Sequence, residues 1–412
     1  MPVRIYGDGE IDGLTTYEAN TFEVTNLKNT ANAGDPNIVL SDDGSVQMTG
    51  LQYPTAGPLS NRNLIINGAM RVAQRGTSST TSGYGSVDRF AVSYGSGTKT
   101  HSQESLTSGD PFDLGFRNFL RVTNTIAGPS AAADYVLCIY NVEAQDLAQS
   151  GWNYLSSSSY LTLTFWVRAS VSMEYFGYFR SEDGTSQAYP FSLGTLTANT
   201  WTKITKTIPG DSSLTINNDN GRGMQLLINP VLGTDYTDPT RTVETWAPYG
   251  AASDRTPEQS NSWNATTGAT FDITGVQLEV GSKATPFEHR SFHDEQLRCM
   301  RYCQRFGETF TTVDGNSVSS DDGFMTFANY SATTAYGGQK FIVPMRARPT
   351  LTSSGLAYYS NSSTDSSIDL SLIGASTNYG ELRVTGFSMT QGHAGWLRIE
   401  KAGGYIEFNA EL

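Results

Sequence analysis

The sequence has little charge, little cysteine and no long apolar run, and each of these shortages excludes a class of protein. Only 16% of the 412 residues are charged, and the 27 Lys and Arg are outnumbered by 40 Asp and Glu. The formal net charge of −13 argues against a phosphate-backbone partner, because nucleic-acid binding depends on clusters of Lys and Arg that release counterions. We therefore expect no nucleic-acid partner.

Cysteines and targeting signals are equally scarce. Cys138, Cys299 and Cys303 are too few for a disulfide framework and suit a chain made in a reducing cytosol. No stretch approaches the roughly 20 apolar residues of a membrane span, and the start MPVRIYGDGE lacks a signal-peptide pattern. We expect a protein that is synthesised in the cytoplasm without a signal peptide and does not insert into membranes.

Glycine and aromatic residues are, by contrast, abundant. The chain has 41 Gly, 21 Tyr and 19 Phe, and turn-forming residues separate its apolar stretches. This composition is typical of an all-β protein with many turns rather than of a helical enzyme. At 412 residues the chain is long enough for two or three domains, each with its own core.

Motifs that mark catalytic centres are missing. The sequence has no His-Glu-x-x-His, Gly-x-Ser-x-Gly or Walker pattern, and only four histidines. A glycosidase needs two carboxylates across a cleft, and the sequence offers Glu182 with Asp183 or Glu143 with Asp146. Adjacent acidic residues in loops are more often solvated, so we expect no catalytic residue, no enzyme activity, no cofactor and no metal site.

Residues 1–60 have no recognisable core and are interpreted as an extended attachment and oligomerisation segment. Asp43-Gly44 between NIVL and SVQM predicts a hairpin, because Gly supplies the positive φ that the turn needs. A hairpin this small is marginal alone, which favours packing against copies of itself or another protein. The acidic run at residues 8–13 resembles a calcium loop but has Ala19 where the bidentate Glu belongs, and is interpreted as a surface turn.

Residues 61–290 show the alternation expected of an antiparallel β-sandwich. In LTLTFWVRA, residues 161–169, apolar residues alternate with Thr162, Thr164, Trp166 and Arg168, which share the other face. Such a series of strands, broken only by a short helix at residues 144–148, indicates two packed antiparallel sheets. The predicted strands are residues 63–66, 90–94, 119–123, 135–141, 161–169, 175–180, 202–208, 224–229 and 269–280.

One longer helix followed by more strands is predicted for residues 291–412. Ser291 is suited to cap the helix, Asp294 and Glu295 favour its positive end, and Gly307 is suited to end it. Cys299-x-x-x-Cys303 lacks the second Cys or His pair of a metal site and indicates buried apolar residues. A second β-domain is predicted from the strands that follow: 309–313, 323–330, 340–343, 350–353, 369–372, 381–388, 395–399 and 405–410.

Several segments resemble proteins of tailed bacteriophages. GVQLEVGSKATPFEHR (residues 275–290) is followed by SFHDEQLRCMRYCQRF, and NLIINGAMRVAQR (residues 63–75) is followed by Asp88-Arg89-Phe90. FIVPMRARPT (residues 341–350) and the terminal YIEFNAEL complete the set. These segments are similar to ones that recur in tail-fibre and appendage proteins, where the first two close and open a jelly roll similar to carbohydrate-binding modules.

The resemblance covers roughly residues 61–412 and implies a virion appendage, a tail fibre. It implies an N-terminal segment (1–60) that attaches to other virion proteins, a jelly roll (61–290) and a C-terminal β-domain (291–412). It also implies a homotrimer. We expect location in the virion and adsorption to host cell-surface polysaccharide through many weak contacts that multivalency sums.

A glycan site on such a sandwich needs exposed aromatic rings for the apolar faces of sugars and polar groups for their hydroxyls. Rings in loops rich in Gly, Asn and Pro suit this role, whereas Trp166 and Trp201 lie in strand patterns and are interpreted as structural. The alternative for the loop rings is packing against a neighbouring protomer. The candidate glycan-binding residues are Trp152, Trp246, Tyr249, Trp263 and Tyr178.

The expected function is host-surface recognition and adsorption by multivalent glycan binding. One alternative is a purely structural capsid decoration, head-fibre or tail adaptor protein without receptor binding, which burial of the loop rings between protomers would favour. The other is a polysaccharide depolymerase, which requires paired carboxylates in a cleft.

Overall fold

Strands dominate the part of the chain that the structure describes. The structure is a computed structural model, and it describes residues 26–27, 38–40, 46–48, 61–128, 131–307, 323–360, 363–399, 401 and 403–412. The chain divides into two units, Met1–Tyr53 and Pro54–Leu412. The domain boundaries predicted after residues 60 and 290 stay predictions.

The first unit contains the predicted hairpin. Its strands β1 (Asn26–Leu27), β2 (Ile38–Leu40) and β3 (Val46–Met48) form an antiparallel sheet in that order. Leu40 pairs with Val46, so β2 and β3 pair as the hairpin prediction requires, while Asp43-Gly44 lies outside the described residues. The acidic run at residues 8–13 lies outside the described residues.

The second unit begins with the expected antiparallel sandwich. Its first sheet has the order β14-β11-β10-β13-β8-β5, and its second sheet has the order β12-β9-β15-β7-β6-β4. The strands are β4 (Ser78–Ser79), β5 (Phe90–Tyr94), β6 (Thr98–Ser105), β7 (Asn118–Ile126), β8 (Tyr135–Glu143), β9 (Tyr160–Ala169), β10 (Glu174–Ser181), β11 (Gln187–Thr195), β12 (Thr202–Pro209), β13 (Arg222–Leu232), β14 (Ala247–Pro248) and β15 (Thr270–Val280).

Alternating residues of the two sheets meet in one core. Leu163 and Phe165 of β9 are fully buried and belong to the same apolar cluster as Phe179 of β10 and Phe191 of β11. Burying a side chain of this size contributes roughly 1.5–3 kcal/mol. The polar residues of β9 therefore point away from the core, to the outer face of the second sheet.

The sandwich differs from the prediction at its opening segment and at four strands, of which β4 and β14 have only two residues each. Residues 63–66 form no strand, because the Asn63 side chain takes ladder positions: its amide oxygen accepts from Leu278 N (3.0 Å) and its amide nitrogen donates to Val276 O (3.2 Å). The prediction also misses β6, which has few apolar residues, and β11, which contains Pro190 and Gly194.

The helices are short, and the longest ends earlier than predicted. They are α1 (Asp110–Asp113), α2 (Ala144–Ala148), α3 (Ser262–Ala265) and α4 (Phe292–Met300). The Ser291 side chain caps α4 by accepting from Asp294 N (3.1 Å), as predicted. The helix does not continue to Gly307, because Cys303–Phe306 forms a strand that pairs with the chain near Asn409. Cys299 and Cys303 are buried and free, as interpreted.

Two further sheets follow the helix. A three-stranded sheet has the order β16-β25-β19, and a seven-stranded sheet has the order β21-β20-β24-β17-β18-β23-β22, here called the distal sheet. The strands are β16 (Cys303–Phe306), β17 (Gly323–Asn329), β18 (Thr334–Lys340), β19 (Thr350–Ser354), β20 (Leu356–Ser360), β21 (Ser363–Asp365), β22 (Asp369–Ala375), β23 (Tyr379–Thr385), β24 (Ala394–Ile399) and β25 (Tyr405–Asn409).

These two sheets share a core of their own. Their strands differ in part from the predicted ones. Phe341, Leu382, Leu397 and Phe408 belong to one buried cluster. The strand predicted at residues 340–343 is not formed, and the chain has β18 just before it instead. The prediction misses β20. The strand predicted at residues 309–313 lies outside the described residues.

Buried ion pairs attach the end of the chain to the sandwich. Arg89 is 1% exposed and pairs with Glu411, while Arg75 pairs with Glu407 (3.0 Å) and Glu411 (3.3 Å). Removing one member of such a pair leaves an uncompensated buried charge and costs about 3–5 kcal/mol. The segment around β25 is therefore part of what stabilises the sandwich.

Candidate functional site

The three loop tryptophans are core residues. Trp152, Trp246 and Trp263 are 3%, 9% and 0% exposed. Each indole N–H donates to a main-chain carbonyl of the same chain, at 3.3, 2.8 and 3.0 Å respectively, so burial leaves no polar atom unpaired. The expectation that these rings are exposed is wrong, because their loops fold inward. They are available neither to a glycan nor to a neighbouring protomer.

The two candidate tyrosines lie on the outer face of the first sheet, which other parts of the chain cover. Tyr178 is 2% exposed and packs with Leu137 and Leu227, and burial raises the pKa of its hydroxyl well above the ordinary value. Tyr249 is half-buried, with the Arg180 guanidinium 4.3 Å from its ring centroid. Tyr178 is thus structural, and one face of Tyr249 is already occupied.

The accessible indoles of the sandwich are instead in strand patterns. Trp166 of β9 and Trp201, just before β12, are both half-buried. Both rings pack against a small buried cluster that contains Phe116 and Phe119, in agreement with the structural interpretation, but neither is fully buried. The sequence contains the signal for Trp166, because this ring alternates with the core residues of β9 and shares its face with Thr164 and Arg168.

Trp166 lines a pocket of about 470 Å³ on the outer face of the second sheet. Neighbouring strands supply the floor, and two chain segments outside the sheet supply the walls. The lining residues are Leu114, Phe116, Thr164, Trp166, Lys203, Ala284, Thr285, Pro286, Phe287 and His289. We call this the Trp166 pocket.

Three rings form one wall of the Trp166 pocket. Phe116, Phe287 and His289 lie with centroids 4.8, 5.1 and 4.9 Å apart, and His289 Nε2 donates to the Leu114 carbonyl (3.0 Å). Gly275 permits this wall, since it has a φ of +64° and a Cβ there would lie 2.7 Å from the Phe116 ring. Phe287 is half-buried against the small buried cluster that contains Phe116, where the chain leaves the sandwich.

A buried ion cluster lies beside the pocket on the same face. Asp272 is fully buried and pairs with Arg121 (2.8 Å) and Arg168 (2.7 Å), one on each neighbouring strand. The Arg168 guanidinium also lies 4.6 Å from the Trp201 ring centroid. A carboxylate held by two guanidinium groups fixes the positions of both arginines relative to Trp166.

The Trp166 pocket is equipped for binding rather than for hydrolysis. It combines aromatic rings with the hydroxyl of Thr164 and the ammonium group of Lys203. This mixture suits a ligand with an apolar face and a polar rim. Its lining contains no carboxylate, whereas glycoside hydrolysis needs two.

The nominated carboxylate pairs are engaged elsewhere. Glu143 is buried and pairs with Arg301 (2.8 Å), and Asp183 accepts from the main-chain and side-chain N–H groups of Asn217 (2.8 Å each). Burial, followed by the nearby Glu143, raises the pKa of Asp146. Across the described ranges, no group of three or more His, Cys, Asp or Glu is arranged to hold a metal, and no helix there is long and apolar enough to span a membrane.

The segments that resemble phage proteins form hydrogen bonds that stabilise the sandwich. The Glu288 carboxylate accepts from Asn63 N (2.9 Å), and Arg290 donates to Asn63 O (2.6 Å). The Asn67 side-chain oxygen accepts from Arg71 N (2.8 Å) and Val72 N (3.0 Å). The Glu288 and Arg290 bonds join the opening segment to the closing one, and the Asn67 bonds hold the opening segment in its own conformation. These polar side chains stabilise the sandwich, while residues 284–287 and His289 of the closing segment also line the Trp166 pocket.

A second exposed aromatic surface lies on the distal sheet. Trp396 is 38% exposed, and its ring centroid lies 4.6 Å from that of Tyr359, with 37° between the planes. Tyr330, 69% exposed, has its centroid 5.5 Å from that of Tyr336.

Comparisons with known proteins give only distant similarities. No family model and no curated protein matches the sequence. The enzymatically active domain of bacteriophage CBA120 tailspike protein 4 is 10% identical with a TM-score of 0.30, over 53% of this chain and 21% of that one. The xylan-binding domain from Paenibacillus barcinonensis is 11% identical with a TM-score of 0.26, over 56% and 98%.

A third solved structure is the N-terminal cellulose-binding domain of Cellulomonas fimi β-1,4-glucanase C. It is 12% identical with a TM-score of 0.25, over 52% of this chain and 99% of that one. Similarities of this size say nothing about ligand or reaction. The fold class is shown by the two antiparallel sheets of the sandwich themselves.

Proposed function

We propose that this chain is a non-enzymatic, glycan-binding appendage of a phage particle that recognises the host surface through the Trp166 pocket. The observation that carries the proposal is the open pocket of about 470 Å³ in which aromatic rings and hydroxyl groups meet on the outer face of the sandwich. The segments similar to tail-fibre proteins support the setting in a virion.

A sugar ring fits the chemistry of this pocket. The apolar face of a pyranose stacks on an indole, while its hydroxyls need fixed donors and acceptors. Trp166 offers the ring, and Thr164, two positions earlier on the same strand face, offers a hydroxyl. Each contact is weak, but linked copies raise the overall avidity by roughly 10² to 10⁴.

The remaining parts of the proposal concern assembly. The first 60 residues attach the chain to other virion proteins, and a homotrimer presents three pockets to host polysaccharide. The predicted virion location and the trimer rest on the sequence resemblance alone.

The test is binding of the purified oligomer to cell-surface polysaccharide and to a glycan array, with polysaccharide chain length followed over time. We expect binding without shortening, and a loss of about tenfold or more in affinity for Trp166→Ala, since losing one stacking contact costs about 1.4 kcal/mol or more. Trp396→Ala is the matched control, because it removes an exposed indole on the distal sheet.

Each other result contradicts a specific part of the proposal. Shortening of the polysaccharide would show a depolymerase. Binding that Trp396→Ala abolishes and Trp166→Ala preserves would move the site to the distal sheet. No binding by the oligomer to any glycan would favour a structural decoration or adaptor protein.

A further inference from the structure

Positive charge borders the Trp166 pocket. Lys203 of β12 is the direct cross-strand partner of Trp166, which places their Cβ atoms about 5 Å apart. Its side chain is exposed and takes part in none of the ion pairs found among the described residues. Lys206, three positions further, differs in being held by Glu244 at 2.7 Å.

A second cation flanks Trp166 along its own strand. Arg168 lies two residues from Trp166 on the same face of β9, a spacing of about 7 Å. Arg168, Arg121 and Asp272 together carry one net positive charge, because two guanidinium groups share a single carboxylate. A ligand stacked on Trp166 therefore has Lys203 on the neighbouring strand beside it and Arg168 further along β9.

The carboxylates on this face do not cancel these charges. Glu279, on the adjacent strand β15, is fully buried and is engaged by Arg62 (3.4 Å) and by the Thr285 hydroxyl (2.6 Å). Glu104 lies on β6, next to β7, and after Asp272 it contributes to raising the pKa of Arg121, but it is three strands from β9, or about 14 Å, so it does not reach Lys203 or Arg168. The surroundings of the pocket are thus positive in a chain whose formal net charge is −13.

We propose that the Trp166 pocket selects an anionic saccharide unit, one that carries a carboxylate or sulfate group, over the neutral sugar of the same ring. This inference rests on the proposed function, since it names the ligand class of the same site. The sugar ring stacks on Trp166, and the acidic substituent pairs with Lys203, with Arg168 as the second cation. Charge complementarity of this kind sets specificity and raises the association rate.

The test uses matched sets of immobilised oligosaccharides: neutral galactan, its carboxylated counterpart oligogalacturonate, and sulfated galactan, with corresponding sets built on glucose and mannose. We expect the oligomer to bind an anionic member of at least one set about tenfold better than its neutral member, and to lose that binding as salt rises from 50 to 300 mM. Lys203→Gln should lower the affinity for the anionic member about fivefold to tenfold. Lys206→Gln, the matched control on the same strand, should leave it unchanged.

The outcomes separate this inference from the function on which it rests. Equal binding of neutral and anionic members, or binding that Lys203→Gln leaves intact, overturns the preference for anions while the glycan-binding function stands. Absence of binding to every saccharide, together with absence of binding to cell-surface polysaccharide, overturns both. Preference for the carboxylated or for the sulfated member identifies which acidic group the pocket accepts.

Discussion

The outer faces of the two sandwich sheets are used differently. On the first sheet the outer face is covered by the chain itself, and Tyr178 at its centre is 2% exposed. On the second sheet the outer face carries the Trp166 pocket and a buried ion cluster beside it. Both faces hold aromatic rings and arginines, so residue type alone does not distinguish a covered face from an open one.

The difference lies in what surrounds each ring. On the first sheet, Arg180 lies over Tyr249 and Arg255 over Tyr236, both at 4.3 Å. On the second sheet, Arg168 lies over Trp201 in the same way, at 4.6 Å, but Lys203 lies beside the indole of Trp166 and pairs with no carboxylate among the described residues. A face whose rings and charges satisfy one another is structural, whereas one with an unpaired cation beside an accessible ring is suited to a ligand.

The largest effect expected from this comparison is on stability, at Tyr178. Tyr178→Ala should lower the free energy of unfolding by about 3–5 kcal/mol, because it empties a buried aromatic site. Trp166→Ala, on the open face, should cost about 1 kcal/mol or less. Denaturant unfolding of the two variants checks this. Equal losses would show that the two faces are packed alike and would remove the basis of the comparison.

A somewhat smaller effect is expected at the ion cluster. Asp272→Ala should destabilise the protein by about 3 kcal/mol, because two guanidinium groups lose a fully buried partner. Glu244→Ala is the control, since its pair with Lys206 is largely exposed and should contribute less than about 1 kcal/mol. Thermal unfolding of both variants compares them, and a small loss at Asp272 would mean that the cluster does not position Arg168.

The smallest effect concerns pH and the inner side of the second sheet. Burial lowers the pKa of His101, whose Nε2 donates to Thr81 O (2.9 Å) and whose Nδ1 accepts from the Ser86 hydroxyl (2.7 Å). The unfolded chain binds this proton more readily, so the stability contributed by neutral His101 is present above the ordinary pKa of about 6.5 and is lost as pH falls below it.

Urea unfolding at pH 7.5 and pH 5.5 measures this dependence. The loss of stability on acidification should be larger for the wild type than for His101→Gln. Asp88 acts in the opposite sense, because burial raises its pKa to about 6. The difference between wild type and variant therefore isolates His101, and identical slopes would contradict a neutral buried imidazole.

Sequence alternation predicted most of the sandwich, but none of the five candidate glycan-binding residues lines the Trp166 pocket. Strands such as β9 follow a period of two, which the sequence displays directly. The same period places Trp166 on the polar face of β9. The interpretation of Trp166 as a structural residue followed instead from the preference of large aromatic residues for sandwich cores. For Trp152 and Trp263 the sequence holds no comparable clue, because their burial depends on carbonyl acceptors that only the folded loops supply.

Long-range pairs were equally beyond prediction. Arg89 and Glu411 are 322 residues apart, and no local pattern links them. The segments that resemble phage proteins indicated the right architecture because they contain Arg89, Glu411 and other residues that form such long-range pairs. They did not identify the ligand, although residues 284–287 and His289 of the closing segment line the Trp166 pocket.

The pairing of Arg89 with Glu411 also has a consequence for biosynthesis. A ribosome delivers Arg89 long before its partner, so every chain interrupted upstream of Glu411 contains a guanidinium that the sandwich must bury without its carboxylate. Such a chain is destabilised by about 3–5 kcal/mol. The sandwich therefore depends on a carboxylate that its own strands do not supply.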